Sequence, residues 1–228
     1  MSRVPQSKSN KGSQKWIQGL VNHAPEVLNT QIKNNLTDLS EERIVWLSPK
    51  VKDEYAEYRD QAFIDLLGIN LAKVSLKEFW PPRGPQWDAL GKTNQGTIFL
   101  VEAKAHIPEL NSPGTQAQGK SLSRIRTRLD KTKEYLNGKS AVDWSNTFYQ
   151  YTNRLAHLYL LRVMNNLPAY LIFVYFVNDL EMDGPKSVDE WRGALKLLHT
   201  HLGIERNKLS KSILELFIDV SFVKQMGI

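Results

Sequence analysis

Three side chains in this sequence are of the kind that do chemistry together. Glu102 and Lys104 lie two apart in Val101-Glu-Ala-Lys-Ala-His106, directly after the apolar run Thr97-Ile-Phe-Leu. In an extended chain alternate residues share a face, so Glu102, Lys104 and His106 point one way and Val101, Ala103 and Ala105 the other. Charge at the end of an apolar strand is costly to bury unless it is paired or bound to a metal. Asp88 follows Pro85-Gln-Trp87 on a second extended segment. If the two segments pair as a hairpin, Asp88 and Glu102 reach a common point. Two carboxylates sharing one place repel unless a proton or a cation lies between them. With oxygen donors and no Cys or His among them, the matching cation is a hard one, Mg²⁺ or Mn²⁺. The alternative for Lys104 beside two carboxylates is a plain ion pair.

The elements that must hold these residues are read from periodicity and punctuation. A helix is expected from Gln14 to about Val27, and another over Asp38–Trp46. Ser48-Pro49 reads as an N-cap with Pro at the first helical position. The stripe Val51, Tyr55, Tyr58, Ala62 and Leu66 then predicts one helix running to Gly68. Leu71–Trp80 reads as extended, and Pro81-Pro82-Arg83-Gly84-Pro85 breaks regular structure. Gln86–Leu90 and Thr97–His106 are predicted strands joined by the polar loop 92–96. Helices are expected over 120–137, 145–165 and 188–202. Ala169–Val177 has the unbroken apolar run of a central strand, and 213–222 is read as a last strand. This order predicts one α/β domain over residues 14–228, with a mixed sheet flanked by helices, after a basic tail (1–13) read as disordered.

Composition narrows the class. The 228 residues contain no cysteine, which excludes disulfides, thiolate metal sites and a cysteine nucleophile. The nine-residue apolar run is too short to span a bilayer, and a secretory signal is not evident; a cytoplasmic protein is expected. The net charge of +6 is concentrated: residues 1–15 carry +4, residues 112–140 carry +5, and the remainder is −3. Lys120, Arg124, Arg126, Arg128 and Lys131 suit contact with nucleic-acid phosphates, though such a helix can equally be a solvated face. Gly-rich phosphate loops and the Gly-x-Ser-x-Gly elbow are missing from the sequence, which disfavours kinases, Rossmann dehydrogenases and serine hydrolases.

Asp88 followed by Glu102-Ala103-Lys104 resembles the PD-(D/E)xK nuclease superfamily, with Gln86-Trp87-Asp88 standing where the family has Pro-Asp. The resemblance covers about residues 48–177. It implies a restriction-endonuclease-like core of helix, three-stranded meander, helix and strand. It implies a Mg²⁺-dependent hydrolase of phosphodiester bonds, of DNA more readily than RNA, leaving a 5′-phosphate and a 3′-hydroxyl. Asp88, Glu102 and the Ala103 carbonyl would ligate the metal, and Lys104 would orient or deprotonate the attacking water. The family often adds an acid from the first core helix; the helical-wheel position favours Glu54 over Glu57. Gln150 and Arg154, four apart on the second core helix, would lie near the site or the nucleic-acid backbone. His106 would assist beside the metal ligands or toward substrate. A homodimer is compatible with the resemblance. Two other readings stay open: a nucleic-acid-binding protein of this fold with little or no turnover, and a basic scaffold for a protein partner.

Overall fold

The computed structural model describes residues 2–227. In chain order the elements are β1 (Arg3–Val4), α1 (Gly12–His23), α2 (Pro25–Asn35), β2 (Ile44–Ser48), β3 (Glu57–Tyr58), α3 (Gln61–Leu67), α4 (Leu76–Phe79), β4 (Ala89–Thr93) and β5 (Ile98–Lys104). Then come α5 (Gly119–Tyr135), α6 (Tyr149–Tyr159), β6 (Ala169–Val177), α7 (Val188–Leu202), β7 (Ile213–Asp219) and α8 (Val220–Gln225). Five strands form one mixed sheet in the order β2-β4-β5-β6-β7. The first three are antiparallel neighbours, whereas β5–β6 and β6–β7 are parallel. The parallel links are made by α5–α6 and by α7, as helical crossovers require.

Helices cover both faces, and the alternation along β6 assigns them. Leu171, Phe173 and Tyr175 enter a core shared with Leu155 and Leu158 of α6 and Trp191 and Leu195 of α7. Ile172, Val174 and Phe176 enter a second core with Trp16 and Leu20 of α1, Leu28 of α2 and Val223 of α8. A central strand covered on both sides reads as unbroken apolar sequence, and β6 spans the range its run predicts. On β5, Ile98 and Leu100 face the α6 side. Glu102 and Lys104 continue that face at the strand's C-terminal end.

Local reading fails between residues 36 and 80. Asp38–Trp46 contains one 3₁₀ turn and then β2, with Ile44 and Trp46 buried and Val45 exposed in the period of a strand. The single helix expected over 49–67 is broken up: a 3₁₀ turn at Val51–Asp53, left-handed Glu54 and Tyr55, β3, and helix only from Gln61. Sheet pairing of β2 with β4, and of Tyr58 with Trp87, overrides the helical spacing. Gly68 ends α3 at φ 64°, as its position suggests. The segment read as extended contains α4, capped by a reciprocal Ser75–Glu78 box. The first helix divides at Ala24–Pro25, and β7 yields to α8 at Asp219, whose carboxylate accepts the Ser221 N–H.

The N-terminal tail is also corrected. Arg3–Val4 pairs antiparallel with Glu57–Tyr58, and Arg3 Nε reaches Asp53 Oδ1 at 2.8 Å. Arg59 N–H donates to the Ser2 carbonyl and Gln6 N–H to the Glu54 carbonyl. A polar segment without apolar periodicity is ordered here because the edge of β3 offers backbone partners. No helix among the described residues is long and apolar enough to cross a membrane.

A chain lacking residues 2–10 is expected to lose about 2 kcal/mol from these hydrogen bonds, roughly 4–8 °C in Tm for a protein of this size. Amide exchange at Arg59 would accelerate in step. An unchanged melt with slow exchange at Arg59 would show that the strand contributes nothing.

Candidate active site

Asp88 immediately precedes β4. Its N–H donates to the Val101 carbonyl at 3.2 Å, and its Oδ2 accepts the Ala103 N–H at 2.7 Å. The hairpin register, Ala89 opposite Val101, therefore brings Asp88 alongside the Glu102–Lys104 end of β5. A strand residue presents its N–H and carbonyl to the same side, so the Ala103 carbonyl also faces the Asp88 edge. Lys104 Nζ lies 2.6 Å from Glu102 Oε1 and donates to Gln150 Oε1 at 3.0 Å. Arg154 Nε donates to Glu102 Oε2 at 2.7 Å. The same guanidinium donates to the Gln86 carbonyl and to Asn153 Oδ1, and stacks over Trp87 with 4.9 Å to the ring centroid. Gln150 and Arg154 thus act from one face of α6, four residues apart. The Glu102 and Arg154 side chains are 3% and 5% exposed, so this pair lies in the core rather than on the surface.

The helix acid expected from the sequence is displaced. Glu54 is 70% exposed and pairs with Arg3, away from the site. Glu57 is buried and lines the cavity with Asp88 and Glu102. Three amides hold its carboxylate: Gln14 Nε2 donates to Oε1 at 3.0 Å, while Gln86 and Gln6 donate to Oε2 at 2.5 and 3.4 Å. The helical wheel misplaced Glu54 because residues 54–58 are not helical. Glu57 is placed by β1–β3 pairing and the Tyr58–Trp87 bridge, and no local signal carries either contact. Glu109 was also missed; its Oε2 accepts the Ala105 N–H and its Oε1 lies 3.0 Å from His106 Nδ1. His106 turns to Glu109 rather than continuing the Glu102–Lys104 row, because β5 ends at Lys104.

These groups border an open cavity of about 510 Å³, closed on one side by the loop 112–116 and by Tyr149. Burial, and then the charges of Glu102 and Glu57, push the Asp88 carboxyl well above the usual range. Burial likewise raises Glu57 in spite of its amide donors. For Glu102 burial works upward too, but Arg154 and Lys104 outweigh it and hold the carboxyl low. Burial would lower Lys104; Glu102 and Asp88 reverse that and raise it, so the ammonium persists at neutral pH. Four acids, Glu57, Asp88, Glu102 and Glu109, thus line the cavity with two cations, and Asp88 and Glu57 bear the imbalance. Among the described residues, no three or more His, Asp and Glu side chains are already gathered tightly enough to hold a metal ion. The donor chemistry nonetheless fits a hard cation: the acids and the backbone carbonyl offer only oxygen, and added positive charge would relieve Asp88 and Glu57.

The basic helix lies elsewhere. Arg124 and Arg128 of α5 donate to the Lys77 and Glu78 carbonyls, and Arg126 pairs with Asp143. Lys120 and Lys131 are exposed. None of the five lines the cavity. Trp80 and Trp87 are buried against His157, whose imidazole is pushed down to about 3 by burial, so they form the floor beneath α6 and not a surface for bases.

Two stability outcomes follow. Arg154→Met leaves Glu102 buried with Lys104 alone and is expected to cost about 3–5 kcal/mol in urea unfolding. Adding Glu102→Gln should restore part of this loss, and strict additivity of the two changes would deny the pair. For Asp88 the raised native carboxyl binds more protons than the unfolded one, so its contribution to stability declines as pH rises through the raised value. Asp88→Asn in EDTA should therefore raise Tm at pH 8 and leave it little changed at pH 4; a lower Tm at pH 8 would contradict the charge imbalance.

Comparison with protein-family models, curated proteins and solved structures returns no match to this chain.

Proposed function

We propose that this chain is a Mg²⁺-dependent nuclease of the PD-(D/E)xK kind, hydrolysing nucleic-acid phosphodiester bonds, DNA more readily than RNA. The observation that carries the reading is the meeting of Asp88, Glu102 and Lys104 at one edge of the β4–β5 pair, with Asp88 short of positive charge. The chain order supports it as well. Helix α1, antiparallel β2-β4-β5, helix α6 and strand β6 are compatible with a core of helix, three-stranded meander, helix and strand, with α2, β3, α3, α4 and α5 between them and α1 standing in for the first core helix expected before Gly68.

Asp88, the Ala103 carbonyl and Glu102 would hold Mg²⁺, with Glu57 beside them in the role the sequence reading gave to Glu54. When bound, the ion supplies Lewis-acid stabilisation of the phosphate and a better water nucleophile at neutral pH. Lys104, held protonated by its carboxylate neighbours, is suited to orient water and to stabilise charge developing on a non-bridging phosphate oxygen. Held in that state, it is poorly suited to take a proton. Gln150 and Arg154 fix Lys104 and Glu102 so that neither must reorganise during reaction. The reaction is in-line attack of water, leaving a 5′-phosphate and a 3′-hydroxyl.

One observation favours a second reading. Both Glu102 oxygens are already engaged, by Lys104 and Arg154, as in a structural ion triad. On that reading the fold binds nucleic acid without cutting it.

Cleavage of single- and double-stranded DNA and RNA in Mg²⁺ or Mn²⁺ separates the two. Wild type is expected to cut, and Asp88→Asn and Lys104→Ala each to lose roughly 10²–10³ in rate while still binding in Ca²⁺. Absence of cleavage on every substrate, or full activity in both variants, would sink the nuclease reading.

A further inference from the structure

A second cavity, of about 560 Å³, lies across the Pro81–Pro85 turn from the first. The turn is a shared wall: Gly84 and Pro85 border the carboxylate cavity, while Pro82 and Arg83 border the second. The second cavity has the opposite charge, with Arg59, Lys77 and Arg83 around one acid, Asp60. That acid is partly spent, since its Oδ1 accepts the Gly84 N–H at 2.9 Å, and Arg59 Nε is 3.9 Å from its Oδ2. Arg59 Nε is buried without a hydrogen-bond partner. Among the described residues, no carboxylate lies within ion-pair distance of Lys77 or Arg83.

Arg83 is one of nine non-glycine residues with positive φ among the described residues. Its φ of 68° is left-handed backbone, where a long side chain is strained by about 1–2 kcal/mol and glycine would be at ease. Arg83 is exposed on the rim between the two cavities, so its charge is open to a ligand. The positive surface continues past Lys77, where Arg124 and Arg128 of α5 anchor on the Lys77 and Glu78 carbonyls.

We infer that this second cavity is the backbone track of a polynucleotide whose scissile phosphate lies in the first, with Arg83 and Lys77 contacting neighbouring phosphates. The inference rests on the nuclease reading and adds the path of the substrate. It moves the nucleic-acid contact from the middle of α5 to the Pro-rich turn. A backbone crossing the turn would meet acid and metal-binding groups on one side and cations on the other. Trp80, buried in the wall, is not available to stack on a base.

Lys77→Ala/Arg83→Ala tests this with exposed side chains, and Lys120→Ala/Lys131→Ala is the charge-matched control. Anisotropy of fluorescein-labelled 20-nucleotide DNA and RNA, single- and double-stranded, would be read in Ca²⁺ across salt concentrations. Hydrolysis of bis(p-nitrophenyl) phosphate, which has no neighbouring phosphate for Lys77 or Arg83 to contact, would be read in Mn²⁺. The cavity variant should weaken polynucleotide binding roughly tenfold or more and flatten the log Kd against log salt slope by about 1.4–1.8. Small-diester hydrolysis should stay at wild-type rate, and the control should change little. Equal Kd and slope in wild type and cavity variant would overturn the track, as would an equal loss in the control. Parallel loss of small-diester hydrolysis would also overturn it, by placing the two residues in the integrity of the site. If binding weakens as expected but no diester is cut by wild type, the track stands and the hydrolytic reading fails. If wild type binds no polynucleotide even at low salt, both fail.

Discussion

Everything near the cavity depends on keeping Glu102 charged inside the protein. A carboxylate 3% exposed between a central strand and a helix is tolerable only with close compensation, and Arg154 and Lys104 provide it from two directions. The requirement reaches outward. Arg154 also binds the Gln86 carbonyl, which ties the segment leading into Asp88 to α6. Lys104 also binds Gln150, which ties the end of β5 to the first turn of the same helix. One buried charge thus sets the spacing of β4, β5 and α6 on the side where substrate would enter.

Beside that compensated triad lies an uncompensated pair. Asp88 has a backbone N–H for one oxygen and no cation of its own, and Glu57 is held by glutamine amides that carry no net charge. Amides satisfy hydrogen bonding without neutralising charge, which leaves local potential negative where the carboxylates meet. Such an arrangement is a net burden to the isolated fold and an asset to a site that must attract a cation, a common division between stability and function. Gln14 reaches Glu57 from α1 and Gln6 from the N-terminal segment, so the beginning of the chain helps build the cavity.

Sequence periodicity worked where an element's environment is uniform. β6, apolar on both faces, and α7, capped by Ser187 and closed by Gly203, lie where their patterns put them. It failed where the partner is remote. Val51, Tyr55 and Tyr58 have the spacing of a helix, yet Tyr58 pairs with Trp87 and the chain around it breaks into turns and a two-residue strand. The same failure selected Glu54, whose side chain holds Arg3 at the surface, over Glu57 in the cavity. On α5, Arg124 and Arg128 each donate one hydrogen bond to the backbone of α4, a contact with no signal in the local sequence.

By itself the sequence determined that Asp88, Glu102 and Lys104 belong together. Alternation on a strand and the geometry of a hairpin are short-range rules, and both act within seventeen residues. It also determined, through the lack of cysteine, that no thiolate could hold a cation here. Only the tertiary structure decided which further acid joins them, which arginine neutralises Glu102, and which cations stand free. Each of those depends on segments thirty to fifty residues apart being packed against one another. Such contacts are set by the burial of two cores and the satisfaction of buried charge, and neither leaves a periodic trace in the chain.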